Sequence, residues 1–67
     1  MVRISDREFE VLILISKGYT NREIGQLLFI SDETVKSHRN NLLVKLNAKN
    51  TANLISKAFK ASLLDTT

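Results

Sequence analysis

Apolar residues recur along most of this chain at helical spacing. In the stretch Ser31 to Leu46, Val35, Leu42 and Leu46 stand at i, i+7 and i+11, which stacks them on one face of a helix. Lys36, Ser37, Asn40 and Asn41 fall on the opposite side. That side carries hydrogen-bonding groups and one positive charge near the helix start. Such side chains read base edges and phosphates when a helix lies in a DNA major groove. For an arbitrary helix the same face reads as a solvated surface.

The rest of the chain predicts three more helices. Ser5-Asp6-Arg7-Glu8 has the form of a capping box and opens a helix bearing Phe9, Val11, Leu12, Leu14 and Ile15. Its apolar residues cover more than half the circumference, so the other helices should largely enclose it. Lys17-Gly18 ends it, with Gly18 suited to the left-handed position. Thr20-Asn21-Arg22-Glu23 is a second capping box, and Ile24, Leu27 and Leu28 are expected to face inward. Gly25 inside this helix costs about 1 kcal/mol relative to alanine, which points to a close approach by another helix. Phe29 and Ile30 read as plugs that bury the following turn, and Ser31 caps the next helix. A connection of about three residues is the length of a helix-turn-helix link.

Asn47 can close the third helix in a left-handed cap, and Asn50 or Thr51 starts a fourth. Its apolar stripe is wide. Ile55 and Phe59 are assigned to the core. Leu54, Ala58 and Ala61 form a neighbouring strip that either packs on a second copy or also serves the core. The tail Asp65-Thr66-Thr67 is expected to be frayed. The fold expected is all-α: one domain over 1–67, a compact four-helix bundle with helices at about 6–17, 21–28, 32–46 and 51–62.

Composition narrows the function. Hydrophobic residues make up 43% of the 67, so a folded domain rather than disorder is expected. There is no proline, and only two glycines, which favours helices over a turn-rich β fold. No cysteine and one histidine leave no material for a thiolate metal site or a Ser-His-Asp triad. No metal, no cofactor and no catalytic residue is expected, and the chain is not read as an enzyme. Ten Lys or Arg against seven Asp or Glu give a net charge of +3, which suits a polyanionic partner. The longest apolar run, Val11 to Ile15, is too short to span a membrane, and no secretion signal is seen. A cytoplasmic location without membrane association is the expectation.

Several motifs at fixed spacing then carry a family likeness. Ile4-Ser5-x-Arg7-Glu8-x-Glu10-Val11-Leu12, Gly18-Tyr19-Thr20-Asn21-Arg22-Glu23-Ile24, Leu28-Phe29-Ile30-Ser31-x-x-Thr34-Val35-Lys36-Ser37-His38 and Lys45-Leu46 closely resemble the LuxR-type (NarL/FixJ-type) DNA-binding domain. The match runs from Ile4 to Leu54 and into the last helix. The resemblance implies a four-helix bundle whose second and third helices form the helix-turn-helix. It implies the output module of a bacterial transcription regulator, often a response regulator, that binds double-stranded DNA as a homodimer through its last helix. RNA polymerase is a candidate further partner.

By the same resemblance, Lys36, Ser37 and Asn40 are the base-contacting residues. Thr20, Asn21, Thr34, His38 and Lys45 are candidates for phosphate contacts. Arg39 borders the core stripe in helical projection, so its stem can cover apolar surface while its head reaches a phosphate. Leu54, Ala58 and Ala61 are the candidate dimer contacts. The chain departs from the family pattern at four places. Gly25 stands where alanine is usual, Asn47 replaces a common glycine, and Arg39 stands where valine or isoleucine is frequent. Thr51 replaces a common arginine, and so lacks a charge that often contacts phosphate or the protein itself.

Lys36 is the strongest single candidate, since lysine near the start of a groove helix can donate to guanine O6 and N7. Asn40 could bridge two groups on adenine. His38 divides between a phosphate contact and a packing role. The competing function is a helical protein-interaction module, sigma-region-like or an adaptor. Such a module would expose apolar anchors on the third helix, where Val44 is the single apolar residue on the outer side.

Overall fold

A polar cap starts each of the four helices. The computed structural model describes residues 3–64, so the tail from Asp65 lies outside the described residues. The helices are α1 (Asp6–Ser16), α2 (Asn21–Leu28), α3 (Asp32–Lys45) and α4 (Thr51–Lys60), and no strand occurs among the described residues. Ser5 Oγ accepts the N–H of Glu8 at 3.1 Å while Glu8 Oε1 accepts that of Ser5 at 2.9 Å. Thr20 and Glu23 repeat the exchange at 3.2 and 2.9 Å. Ser31 caps α3, and Asn50 Oδ1 caps α4 through the N–H of Asn53 at 2.8 Å. Each cap contributes about 1 kcal/mol by satisfying an N–H that the helix itself leaves free.

The four helices also end alike. A left-handed residue reverses the chain, and the next N–H returns to a carbonyl five residues back. Gly18, Phe29, Asn47 and Ser62 hold the left-handed position. The returning bonds are Tyr19 to Leu14, Ile30 to Gly25, Ala48 to Leu43 and Leu63 to Ala58, at 2.8–3.2 Å. This closure stops α1, α3 and α4 one or two residues before the expected boundaries. Gly18 and Asn47 were legible as left-handed by residue type; Phe29 and Ser62 were not.

Val11, Leu12, Ile15, Ile24, Val35, Leu42, Leu46, Leu54 and Ala58 form the buried core. The stripe Val35, Leu42, Leu46 is confirmed. α3 packs chiefly on α1 and α2, with a smaller contact to α4.

Four expectations are corrected. Phe29 does not plug the turn: it is 94% exposed, because the left-handed closure carries its side chain outward, and Ile30 alone packs inward. Leu27 is 51% exposed, so only Ile24 and the half-buried Leu28 serve the core from that stripe. The close approach to Gly25 comes from the turn rather than another helix. A Cβ there would lie 2.7 Å from the carbonyl oxygen of Ile30. In α4 the core face is centred on Leu54 and Ala58, both fully buried; Ile55 is half-buried and packs against the core as expected, while Phe59 is partly exposed. Leu54 and Ala58 are one turn apart, and the Ala58 carbonyl accepts the N–H of Leu63 at 2.9 Å.

Candidate nucleic-acid interface

α3 is built to present one face and bury the other. Its 14 residues span about 21 Å, and a helix of about 10–12 Å diameter matches the width of a DNA major groove. Ser31 Oγ accepts the N–H of Thr34 at 3.1 Å, and Asp32 and Glu33 occupy the first turn, where negative charge suits the helix dipole. Lys36, Ser37 and Asn40 are all exposed on the outer face, and Asn41 beside them is exposed too. None of the three makes a side-chain hydrogen bond among the described residues, so their donors and acceptors are available. Val44 is 79% exposed and is the one apolar side chain of α3 among the exposed large hydrophobics.

The candidate phosphate contacts divide into two groups. Thr20 and Thr34 are exposed but hold local bonds. Thr20 Oγ1 caps α2, and Thr34 Oγ1 lies 2.9 Å from Ser31 Oγ. His38 is half-buried and makes no side-chain hydrogen bond among the described residues.

Asn21, Arg39 and Lys45 are tied into the fold. Arg39 Nη1 donates to Asn21 Oδ1 at the start of α2, and Nη2 donates to Thr51 Oγ1 at the start of α4, the latter at 2.6 Å. Lys45 Nζ donates to Glu8 Oε1 at 2.6 Å. The Glu8 carboxylate is enclosed while Lys45 remains partly in solvent. The Lys45 bond, with the backbone N–H of Ser5 second, holds the Glu8 carboxyl below its ordinary value, against the opposing effect of burial. The two longest basic side chains on the flanks of α3 thus have protein partners, where sequence reasoning expected phosphates.

Of the α4 strip that could either pack on a second copy or serve the core, two residues do the latter. Leu54 and Ala58 have no exposed surface to offer a second copy, because they complete the core of their own domain. Ala61 alone of that strip is exposed. Sequence reasoning also missed Thr51 as a partner of Arg39. The usable signal was the projection of Arg39 to the edge of the core stripe, with uncharged acceptors at the starts of two neighbouring helices.

No cluster of three or more potential metal ligands is found among the described residues. No described helix is long and apolar enough to cross a membrane.

Known proteins share this arrangement. The family model described as bacterial regulatory proteins of the luxR family matches residues 2–58. The oxygen regulatory protein NreC of Staphylococcus carnosus (strain TM300) is 47% identical over 62 residues, covering 92% of this chain and 29% of that protein. NreC of Staphylococcus epidermidis (strain ATCC 12228 / FDA PCI 1200) is 44% identical, covering 92% and 28%. Among solved structures, the response regulator ChrA of a heme-sensing two-component system superposes with a TM-score of 0.89. It is 35% identical, over 92% of this chain and 31% of that one. The chain therefore spans about three-tenths of the length of these relatives. With a helix-turn-helix at α2–α3, this four-helix fold and a family match over most of its length, the chain belongs to the LuxR family of bacterial regulatory proteins.

Proposed function

We propose that this chain is the DNA-reading output module of a bacterial transcription regulator. α3 enters the major groove and reads sequence through Lys36, Ser37 and Asn40. One observation carries this reading: three polar side chains stand exposed and uncommitted on the outer face of the second helix of a helix-turn-helix. The family match and the likeness to the response regulator ChrA of a two-component system support it. Lys36 donates to guanine, and Asn40 suits the paired donor and acceptor of adenine. Thr20, Thr34 and His38 flank that face and take phosphate contacts, which fix the register without carrying sequence information.

A single domain of this size holds few phosphates. Two copies on a two-fold site, with their α3 helices about one DNA turn apart, supply the missing affinity. Their contact uses exposed positions of α4 such as Ala61, and excludes Leu54 and Ala58. Within a bacterial regulator such a module works in the cytoplasm, and RNA polymerase is a further partner.

Selection from a random-sequence duplex pool, with Lys36→Ala in parallel, tests the reading. Enrichment of a short two-fold motif that collapses in the variant supports it. Salt-sensitive binding with no motif, equal in both proteins, rejects base reading by α3.

A further inference from the structure

Arg39 is the single arginine of α3, and it is half-buried on the flank between the outer face and the core stripe. A guanidinium is a rigid planar fork, so it can hold two acceptors at fixed directions; an ammonium is a compact point charge on a flexible stem. Here the two arms of the fork reach two different helices. Asn21 Oδ1 is at the first residue of α2, and Thr51 Oγ1 is at the first residue of α4. Arg39 is adjacent to Asn40 and one turn from Lys36. A roll of α3 about its own axis would move both of those residues and break at least one arm of the fork.

We propose that Arg39 is a positioning residue for DNA recognition: it sets the roll of α3 against the starts of α2 and α4, and so aims Lys36, Ser37 and Asn40. This rests on the reading of α3 as the DNA-reading helix. Both acceptors are uncharged, and no carboxylate pairs with Arg39 among the described residues. Its charge therefore still adds to the positive field at these helix starts. Its distinctive contribution is the fork, which lysine lacks.

The test uses the 67-residue chain as wild type, Arg39→Lys, Thr51→Val and the double variant. Circular dichroism and thermal melts establish that each is folded at the working temperature. Affinity is then measured across a salt series on two duplexes: one enriched from a random pool by the wild type, and a scrambled duplex of equal length. Arg39→Lys keeps the charge and removes the fork. It is expected to lose about tenfold on the enriched duplex, the worth of one charge-assisted hydrogen bond, with the scrambled duplex and the salt slope unchanged. Thr51→Val shows a smaller loss in the same sense, and the double variant is no worse than Arg39→Lys.

Several results overturn the proposal. If Arg39 contacts phosphate through its charge, Arg39→Lys binds both duplexes as the wild type does, and Thr51→Val has no effect. If Arg39 merely supports the fold, the melts fall while the preference for the enriched duplex stays. A wild type that enriches no motif defeats the DNA-reading function and this proposal with it. A wild type that enriches a motif which Arg39→Lys reads equally well defeats the positioning role alone.

Discussion

Lys45 Nζ on α3 lies 2.6 Å from Glu8 Oε1 on α1, and the same carboxylate oxygen accepts the backbone N–H of Ser5 at 2.9 Å. One enclosed carboxylate thus serves both the capping box of α1 and the far end of α3. Removing it frees a backbone N–H and a lysine together. Glu8→Ala should destabilise the domain by about 1–2 kcal/mol, which for a chain of this size lowers Tm by about 5–10 °C. A thermal melt checks this, and an unchanged midpoint would mean the pair is idle.

The same carboxylate makes stability depend on acid. Its folded pKa lies below the ordinary value, so at acidic pH the unfolded chain binds the extra proton first. The stabilisation is complete above the ordinary carboxylate range and is lost as pH falls through the depressed folded value. Melts from about pH 6 to about pH 3 should show a fall in Tm that is shallower in Glu8→Gln than in the wild type. Parallel curves would remove Glu8 as the cause.

Leu54 separates two accounts of α4. As a core residue with no exposed surface, its truncation opens a cavity, and Leu54→Ala should cost about 2–5 kcal/mol. That is enough to unfold much of so small a domain. The loss should be independent of protein concentration by denaturant titration. A folded variant with altered self-association would return Leu54 to a dimer surface.

Gly25 and Phe29 test the turn from opposite sides. Gly25→Val places a Cβ 2.7 Å from the backbone oxygen of Ile30, where only movement of the turn can relieve it. It should destabilise by about 2 kcal/mol or more. Phe29 is left-handed at φ 58° and 94% exposed, so it carries backbone strain and gains almost nothing from burial. Phe29→Gly should stabilise by about 0.5–1 kcal/mol in chemical denaturation, since glycine takes that conformation freely. A loss of stability would show that the exposed ring has a contact within the domain.

Local chemistry explains what could be read from the chain. Ser5, Thr20, Ser31 and Asn50 announce helix starts, because a cap is decided by a side chain and the next three residues. Val35, Leu42 and Leu46 announce the buried face of α3, because nothing but period decides it. Which residues of α4 fill the centre of the core was not legible. With Leu54, Ile55, Ala58 and Phe59 all apolar, two overlapping stripes satisfy the same pattern, and only docking against α1 and α3 chooses between them. The protein partners of Arg39 and Lys45 were not legible for a related reason. A long basic side chain on the flank of a helix has the same local sequence signature whether it reaches solvent, phosphate or a distant partner such as Thr51 or Glu8.

The most direct test of the central claim is a nuclear magnetic resonance titration of the domain with a duplex that it enriches from a random pool. The largest shifts are expected on Lys36, Ser37 and Asn40, with smaller ones at the starts of α2 and α3. Shifts concentrated on α1 or α4, with the outer face of α3 unmoved, would contradict the claim.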